Sequence, residues 1–192
     1  MKPCLIIFIK NPEKGKVKTR LAKDIGEDKA LDVYKKLLNH TRSVTEKLEC
    51  TKHLFYSSFI DDKDKWQSNI YDKKVQAGND LGEKMSDAFK QAFDNQHAPV
   101  CIIGSDCFDI TEDIIIEAFE KLSKHDYVIG PATDGGFYLL GMNAFTPQLF
   151  EGKTYSTSQV CSDAIEEINK LNRTFYRLPI LSDVDTVVDL NF

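Results

Sequence analysis

Glycine and proline are scarce in this 192-residue chain, at 10 and 6 residues, which excludes collagenous, low-complexity and linker-dominated architectures. Long apolar runs are missing too. The longest uninterrupted one, Cys4 to Ile9, stops at Lys10. It falls far below the roughly 18 residues of a membrane span and is short for a secretory segment, so the expectation is a cytoplasmic protein with no membrane span. The five cysteines, at 4, 50, 101, 107 and 161, are an odd set with no C-x-x-C spacing and no neighbouring histidine pair, which suits neither a zinc site nor a disulfide framework. They read as small buried hydrophobes. Nor is positive charge in excess: 25 Lys and Arg against 30 Asp and Glu leave a net charge of -5. A broad attraction to nucleic acid or anionic lipid is therefore not expected, and any anion site must be local.

What is present is the composition of one self-folding globular domain, 42% apolar and 29% charged. Short apolar runs alternate with helical patterns throughout, the signature of an α/β protein whose sheet is mostly parallel and covered by helices on both faces. The runs predict strands at Cys4–Ile9, Lys52–Tyr56, Lys74–Gln76, Val100–Ile103, Tyr127–Ile129, Phe137–Gly141 and Thr174–Arg177. Leu31, Tyr34, Leu37, Leu38, Thr41, Val44 and Leu48 recur with a period near 3.6, as do Leu81, Met85, Ala88, Phe89, Ala92 and Phe93, and each set predicts an amphipathic helix. Asp80 with Glu83 resembles a capping box, and Ser156 with Gln159 suggests the same device before the helix that carries Cys161. A further helix is expected over about 111–123, with Asp109 able to cap it.

Ligands of open parallel sheets lie beyond the carboxyl ends of the strands, so the segments that follow the apolar runs are the places to look for chemistry. After the first strand come Lys10, Lys14, Gly15, Lys16, Lys18 and Arg20, a cationic loop with a glycine for the turn. Such a loop either wraps phosphates or is simply solvated; it lacks Walker spacing. Gly104-Ser105-Asp106 follows the fourth strand, where Asp106 can meet a phosphate-bound Mg²⁺ or merely close a turn. Thr133-Asp134-Gly135-Gly136 either connects a hairpin or brings backbone amides and a carboxylate to a ligand. Asp183 and Asp185 alternate along an extended stretch, which suits a shared cation or a solvent-facing turn. Gln76-Ala77-Gly78-Asn79-Asp80 either reads a base or ribose or forms a tight turn and a cap.

In this order, Gly15/Lys18-Thr19-Arg20-Leu21, Gln76-x-Gly78-x-Asp80-Leu81-Gly82, Gly104-Ser105-Asp106, Gly130-Pro131-Ala132-Thr133-Asp134-Gly135-Gly136 and Asp183-Val184-Asp185-Thr186 resemble a largely uncharacterised family. It is that of the glycosyltransferase-A-fold, nucleotide-diphospho-sugar-transferase-like proteins, similar to 2-phospho-lactate guanylyltransferases. The resemblance spans almost the whole chain. It implies a single Rossmann-like domain over residues 1–192, with a nucleotide half to about residue 106 and an acceptor half over about 107–192. It further implies nucleotide binding by Lys10, Gly15, Lys18, Arg20, Gln76, Gly78 and Asp80, metal binding (Mg²⁺ or Mn²⁺) by Asp106 and Asp185, and acceptor binding by Asp134, Gly135 and Gly136. The chain departs from the family at Phe108 and at Val187-Val188, where proline and Pro-Glu are usual, and Asp106 is not part of an Asp-x-Asp pair.

The expected activity is that of a Mg²⁺-dependent transferase using a nucleoside triphosphate or nucleotide sugar, with nucleotidyl transfer to a small phosphorylated acceptor preferred over glycosyl transfer. Lys18 and Arg20 would neutralise the leaving group, and Asp134 would serve as a base in the glycosyl version. A nucleotide-binding module without catalysis and a purely structural domain are the rival classes. Cys107 adjoins the metal loop; it is expected to pack, with oxidant sensitivity of the activity as the alternative.

Overall fold

The computed structural model describes residues 1–155 and 157–190. Its centre is a seven-stranded sheet of order β3-β2-β1-β4-β6-β5-β7. The strands are β1 (Lys2–Ile9), β2 (Thr51–Tyr56), β3 (Asp72–Val75), β4 (His97–Ile103), β5 (Tyr127–Pro131), β6 (Phe137–Met142) and β7 (Phe175–Arg177). β1 pairs in parallel with both β2 and β4, β2 with β3, and β5 with β7, whereas β6 runs antiparallel to β4 and β5. The expected mixed, mostly parallel sheet is therefore present.

The alternation along β1 explains the two cores. Leu5, Ile7 and Ile9 face one side, where they join Tyr34, Leu37 and Leu38 of α2 (Glu27–Thr45) and Ile115 and Ala118 of α4 (Glu112–Lys121). Cys4 and Ile6 face the other, against Met85, Ala88 and Phe89 of α3 (Leu81–Asp94) and Cys161 and Ile168 of α5 (Val160–Lys170). Helices thus cover both faces, as the near-continuous apolar strands require. Each fully buried Leu or Phe in these layers contributes roughly 1.5–3 kcal/mol, and Leu37 and Phe89 are both at 0% exposure.

The structure departs from the sequence reading in several places. Thr19-Arg20-Leu21, read as loop, opens the short helix α1 (Thr19–Ile25); its N-cap Lys18 makes no side-chain cap bond, so no capping signal marked the start. β3 is Asp72–Val75 rather than 74–76, a charged edge strand of the kind that discourages further pairing. Thr111, not Asp109, caps α4, because its hydroxyl is the group within reach of the Ile114 N–H (3.3 Å). α5 begins only after Gln159, which makes no side-chain cap bond; Ser156 lies outside the described residues. The Asp80 cap of α3 is present, its carboxylate accepting from the Glu83 N–H at 2.8 Å, but the reciprocal Glu83 arm reaches Asn79 instead.

Candidate active site

Because β6 is antiparallel to both of its neighbours, β4 and β5 point the same way, and six of the seven strands end at one edge of the sheet. The segments after β1, β2, β3, β4, β5 and β7 gather there around a cleft of about 500 Å³. Its polar wall carries Lys10, Gln76, Ser105, Asp106, Asp134, Asp183 and Asp185, and its apolar wall Phe8, Leu81, Met85, Phe137, Tyr155 and Val160. Phe8 projects between the sheet and α3, which makes one side of the cleft a continuation of the second core.

The carboxylates are brought together by backbone pairing. The Val184 N–H donates to the Asp106 carbonyl at 2.9 Å, and Cys107 bridges Asp183 in antiparallel fashion. With Val184 buried beneath, Asp183 and Asp185 on either side of it both face the cleft. Lys18 Nζ then lies 2.7 Å from Asp106 Oδ1 and 3.3 Å from Asp185 Oδ1, with its side chain only 4% exposed. Arg20 reaches Asp185 Oδ2 at 3.6 Å from the rim, where 71% of its side chain is exposed. Residues 167 positions apart therefore share one charge cluster.

In the sequence, Asp183 stands out only as the first acid of the Asp-Val-Asp spacing. In the fold it is the most enclosed acid of the cluster. Burial, followed by the neighbouring Asp106 and Asp134 carboxylates, pushes its pKa up to about 7, and Lys18 pulls the other way. Near neutrality it is poised between the neutral and charged forms.

The Asp-Gly-Gly segment is a hairpin connection between β5 and β6, and it also lines the cleft; its two sequence readings are compatible. The Asp134 carboxylate accepts from the Gly136 N–H at 2.9 Å, closing an Asx turn. Gly135 sits at φ +90°, with its carbonyl accepting from the Cys161 N–H of α5. The Thr133 N–H donates to the Leu181 carbonyl at 2.9 Å, which ties the hairpin to the segment that carries Asp183.

The cationic loop divides. Lys14 and Lys16 are held in exposed pairs with Asp28 (2.7 Å) and Glu13 (3.0 Å), Lys10 lines the cleft, and Lys18 lies behind the lining against Asp106 and Asp185. Gly15, Gly78, Asp80 and Gly135 stand behind the lining: Gly15 turns the loop at φ +75°, Gly78 packs on the start of α3, and Asp80 caps that helix. Gln76 lines the cleft, its amide nitrogen donating to the carbonyls of Ile9 and Phe55, each at 3.2 Å.

Two positioning residues were missed. Tyr34 read only as part of an apolar helix face, yet its buried hydroxyl accepts from the Lys10 N–H at 2.8 Å, donates to the Lys10 carbonyl at 3.1 Å and meets Ser105 Oγ at 3.1 Å. It fastens the loop after β1 to the loop after β4. Asn11, 2% exposed, holds the segment after β2 through its Oδ1 to the Ser58 N–H (3.0 Å) and its Nδ2 to the Phe59 carbonyl (2.9 Å). Neither role is legible without partners from other strands. Cys107 packs, as expected, and the alternative of oxidant sensitivity falls away: it is 4% exposed, and burial pushes its pKa up to about 12. A protonated, enclosed thiol is not an oxidation site.

Two carboxylates that converge on a single ammonium provide hard oxygen donors at a cation-sized point, a donor set that suits Mg²⁺ or Mn²⁺. Among the described residues no group of three or more His, Cys, Asp or Glu side chains is arranged to hold a metal ion. Asp106 and Asp185 could therefore hold such an ion only with water and ligand oxygens completing its shell.

Comparison with known proteins agrees with this architecture. A crystal structure of a candidate nucleotide-diphospho-sugar transferase from Desulfovibrio desulfuricans G20 superposes with a TM-score of 0.91 and 34% identity, covering 100% of this chain and 86% of that one. The manganese complex of Rv0371c from Mycobacterium tuberculosis H37Rv shares the fold at a TM-score of 0.58 and 10% identity, over 98% and 96% of the two chains. The inositol-1-phosphate CTP transferase of T. maritima does so at 0.54 and 11%, over 100% and 92%. No protein in the curated set matches the chain significantly in sequence. Residues 40–157 match the family of uncharacterised proteins conserved in bacteria known as DUF2064, and the chain belongs to that family.

Proposed function

We propose that the protein is a divalent-metal-dependent nucleotidyltransferase that uses a nucleoside triphosphate and a small phosphorylated acceptor. The observation that carries this reading is the convergence of Asp106 and Asp185 on Lys18 at the polar wall of the cleft. Residues up to about 106 would form the nucleotide half and those from about 107 the acceptor half. Asp106 and Asp185 would hold Mg²⁺ or Mn²⁺, which when bound supplies neutralising charge to the phosphates. Lys10, Lys18 and Arg20 supply further positive charge along the triphosphate, with Gly15 shaping their loop. Gln76 keeps its amide oxygen for a base, and Gly78 and Asp80 set the turn beside it. In the reaction an acceptor phosphate oxygen bonds to the α-phosphorus, and the bond from that phosphorus to the bridging oxygen breaks. Pyrophosphate leaves with the electron pair, and Lys18 and Arg20 offset its charge. Asp134, Gly135 and Gly136 border the acceptor.

Glycosyl transfer is the second reading. It is favoured by Asp134 on the cleft wall, where a carboxylate can accept a proton from an acceptor hydroxyl. Similarity at 34% identity to a candidate nucleotide-diphospho-sugar transferase supports it as well. Incubation with Mg²⁺, nucleoside triphosphates and phosphorylated acids should release pyrophosphate. Release of nucleoside diphosphate from nucleotide sugars alone would move the assignment to glycosyl transfer. Nucleotide-dependent thermal stabilisation without turnover in either panel would leave a nucleotide-binding module.

A further inference from the structure

Of the five cations between positions 10 and 20, only Lys18 is buried. Lys14 and Lys16 keep 52% and 69% of their side chains in solvent, the ordinary state of a loop lysine. Lys18 instead adopts φ 47°, ψ 45° at the start of α1, a left-handed conformation that a residue with a Cβ adopts at a cost. Its side chain is buried, and its ammonium contacts Asp106 at 2.7 Å and Asp185 at 3.3 Å. These are charge-assisted contacts, the strong kind. Arg20 reaches only the outer oxygen of Asp185, at 3.6 Å from the rim, so Lys18 is the buried cation between the two carboxylates.

We propose that Lys18 is the built-in counter-ion of Asp106 and Asp185 and competes with the divalent ion for them. The inference rests on the reading of those two residues as the metal carboxylates. A divalent ion binds carboxylate oxygens at roughly 2.1 Å, and its charge repels an ammonium held on the same oxygens. Lys18 must therefore leave before both carboxylates can be taken. Its flexible stem permits this, and a triphosphate offers the displaced ammonium new oxygens. Metal alone then binds the free protein weakly, and metal arriving with a triphosphate binds well. The carboxylates are at no stage left without a cation.

The test is Mn²⁺ titration by calorimetry of nucleotide-free wild type and Lys18→Met, which keeps the apolar stem and removes the charge. Lys18→Met should bind Mn²⁺ at least about tenfold more tightly, since no charge-assisted hydrogen bonds need breaking first. Its thermal midpoint should be lowered without metal and recovered by Mn²⁺, at concentrations that leave the wild type unmoved. On the wild type, amine-reactive labelling read by peptide mass spectrometry should show Lys18 protected in the free protein. Its labelling should rise as saturating Mn²⁺ is approached, while that of Lys14 stays constant. This second measurement decides the matter should Lys18→Met not fold. Equal Mn²⁺ affinities, no Mn²⁺ binding to Lys18→Met, or unchanged Lys18 labelling with Mn²⁺ bound overturns the inference. Tighter Mn²⁺ binding to the variant, together with no turnover by the wild type on any substrate, refutes the transferase reading alone. Metal-dependent turnover by wild type with equal affinities refutes the Lys18 inference alone.

Discussion

Replacing Asp106 by asparagine separates a catalytic carboxylate from a structural one. The side chain is 38% exposed, and its shorter ion pair, 2.7 Å to Lys18, has a second partner in Asp185 at 3.3 Å. Lys18 is buried, but it keeps Asp185 as a partner, so its charge is not left unpaired; the half-exposed carboxylate that is lost contributes about 1 kcal/mol, and the asparagine oxygen still accepts a hydrogen bond. The change also removes one of the carboxylates that crowd Asp183, a gain that offsets part of the loss. The net effect on stability is therefore within about 1 kcal/mol, a shift of roughly 2–4 °C or less for a domain of this size. Turnover responds on another scale. Loss of one charge-stabilising group in a preorganised site costs about 100- to 1000-fold. Pyrophosphate release under saturating Mg²⁺ and triphosphate, paired with thermal melts of the same preparation, reads both quantities. A variant that retains more than about a tenth of wild-type turnover, or one that loses stability far beyond about 1 kcal/mol, refutes the assignment of Asp106 to the chemistry.

Asp183 makes stability depend on pH. Its folded pKa of about 7 lies above the usual 3.8, so its contribution is complete below the unfolded value and is lost as pH rises towards and through 7, by up to about 4 kcal/mol. In chelator-treated buffer, Asp183→Asn should flatten the decline in midpoint between pH 5 and pH 8 (~3 pH units,) and be the more stable protein at the upper end; parallel profiles for the two proteins would contradict this. Tyr34→Phe should cost about 1–2 kcal/mol by leaving the Lys10 and Ser105 polar groups short of a partner, and should raise KM for the triphosphate; unchanged denaturation and kinetics would count against its role as a fastener. Gly135→Ala places a Cβ 2.0 Å from the Ser158 carbonyl oxygen at a φ of +90°. A destabilisation of about 1–3 kcal/mol, measured by urea unfolding, is expected, and a neutral result would contradict the tight contact between the hairpin and the Ser158 backbone that precedes α5.

Most of the scaffold was legible along the chain. Apolar runs with both faces covered announce central strands, and a period of 3.6 announces the helices between them, because burial repeats with the geometry of each element. All seven strands lie where those runs predict, to within a few residues, and the weakest reading was β3, whose Asp72-Lys73-Lys74 carries no apolar signal. Helix α1 was missed for a related reason: a seven-residue cationic segment with no capping side chain reads locally as loop. The motifs after the strands were equally legible as candidates, since a glycine, a lysine or an aspartate beyond a buried strand is visible in one dimension.

What those side chains do to one another is a different kind of information. Lys18 and Asp185 meet only because β1 and β7 end at the same edge of the sheet, and Asp183 acquires its shifted acidity only from burial among Asp106 and Asp134. Tyr34 becomes a fastener, and Cys107 an inert thiol, through neighbours far away in the chain. Periodicity is a local property and survives in the linear order of residues, whereas charge balance, desolvation and shared hydrogen bonds depend on distances that exist only once the sheet has assembled.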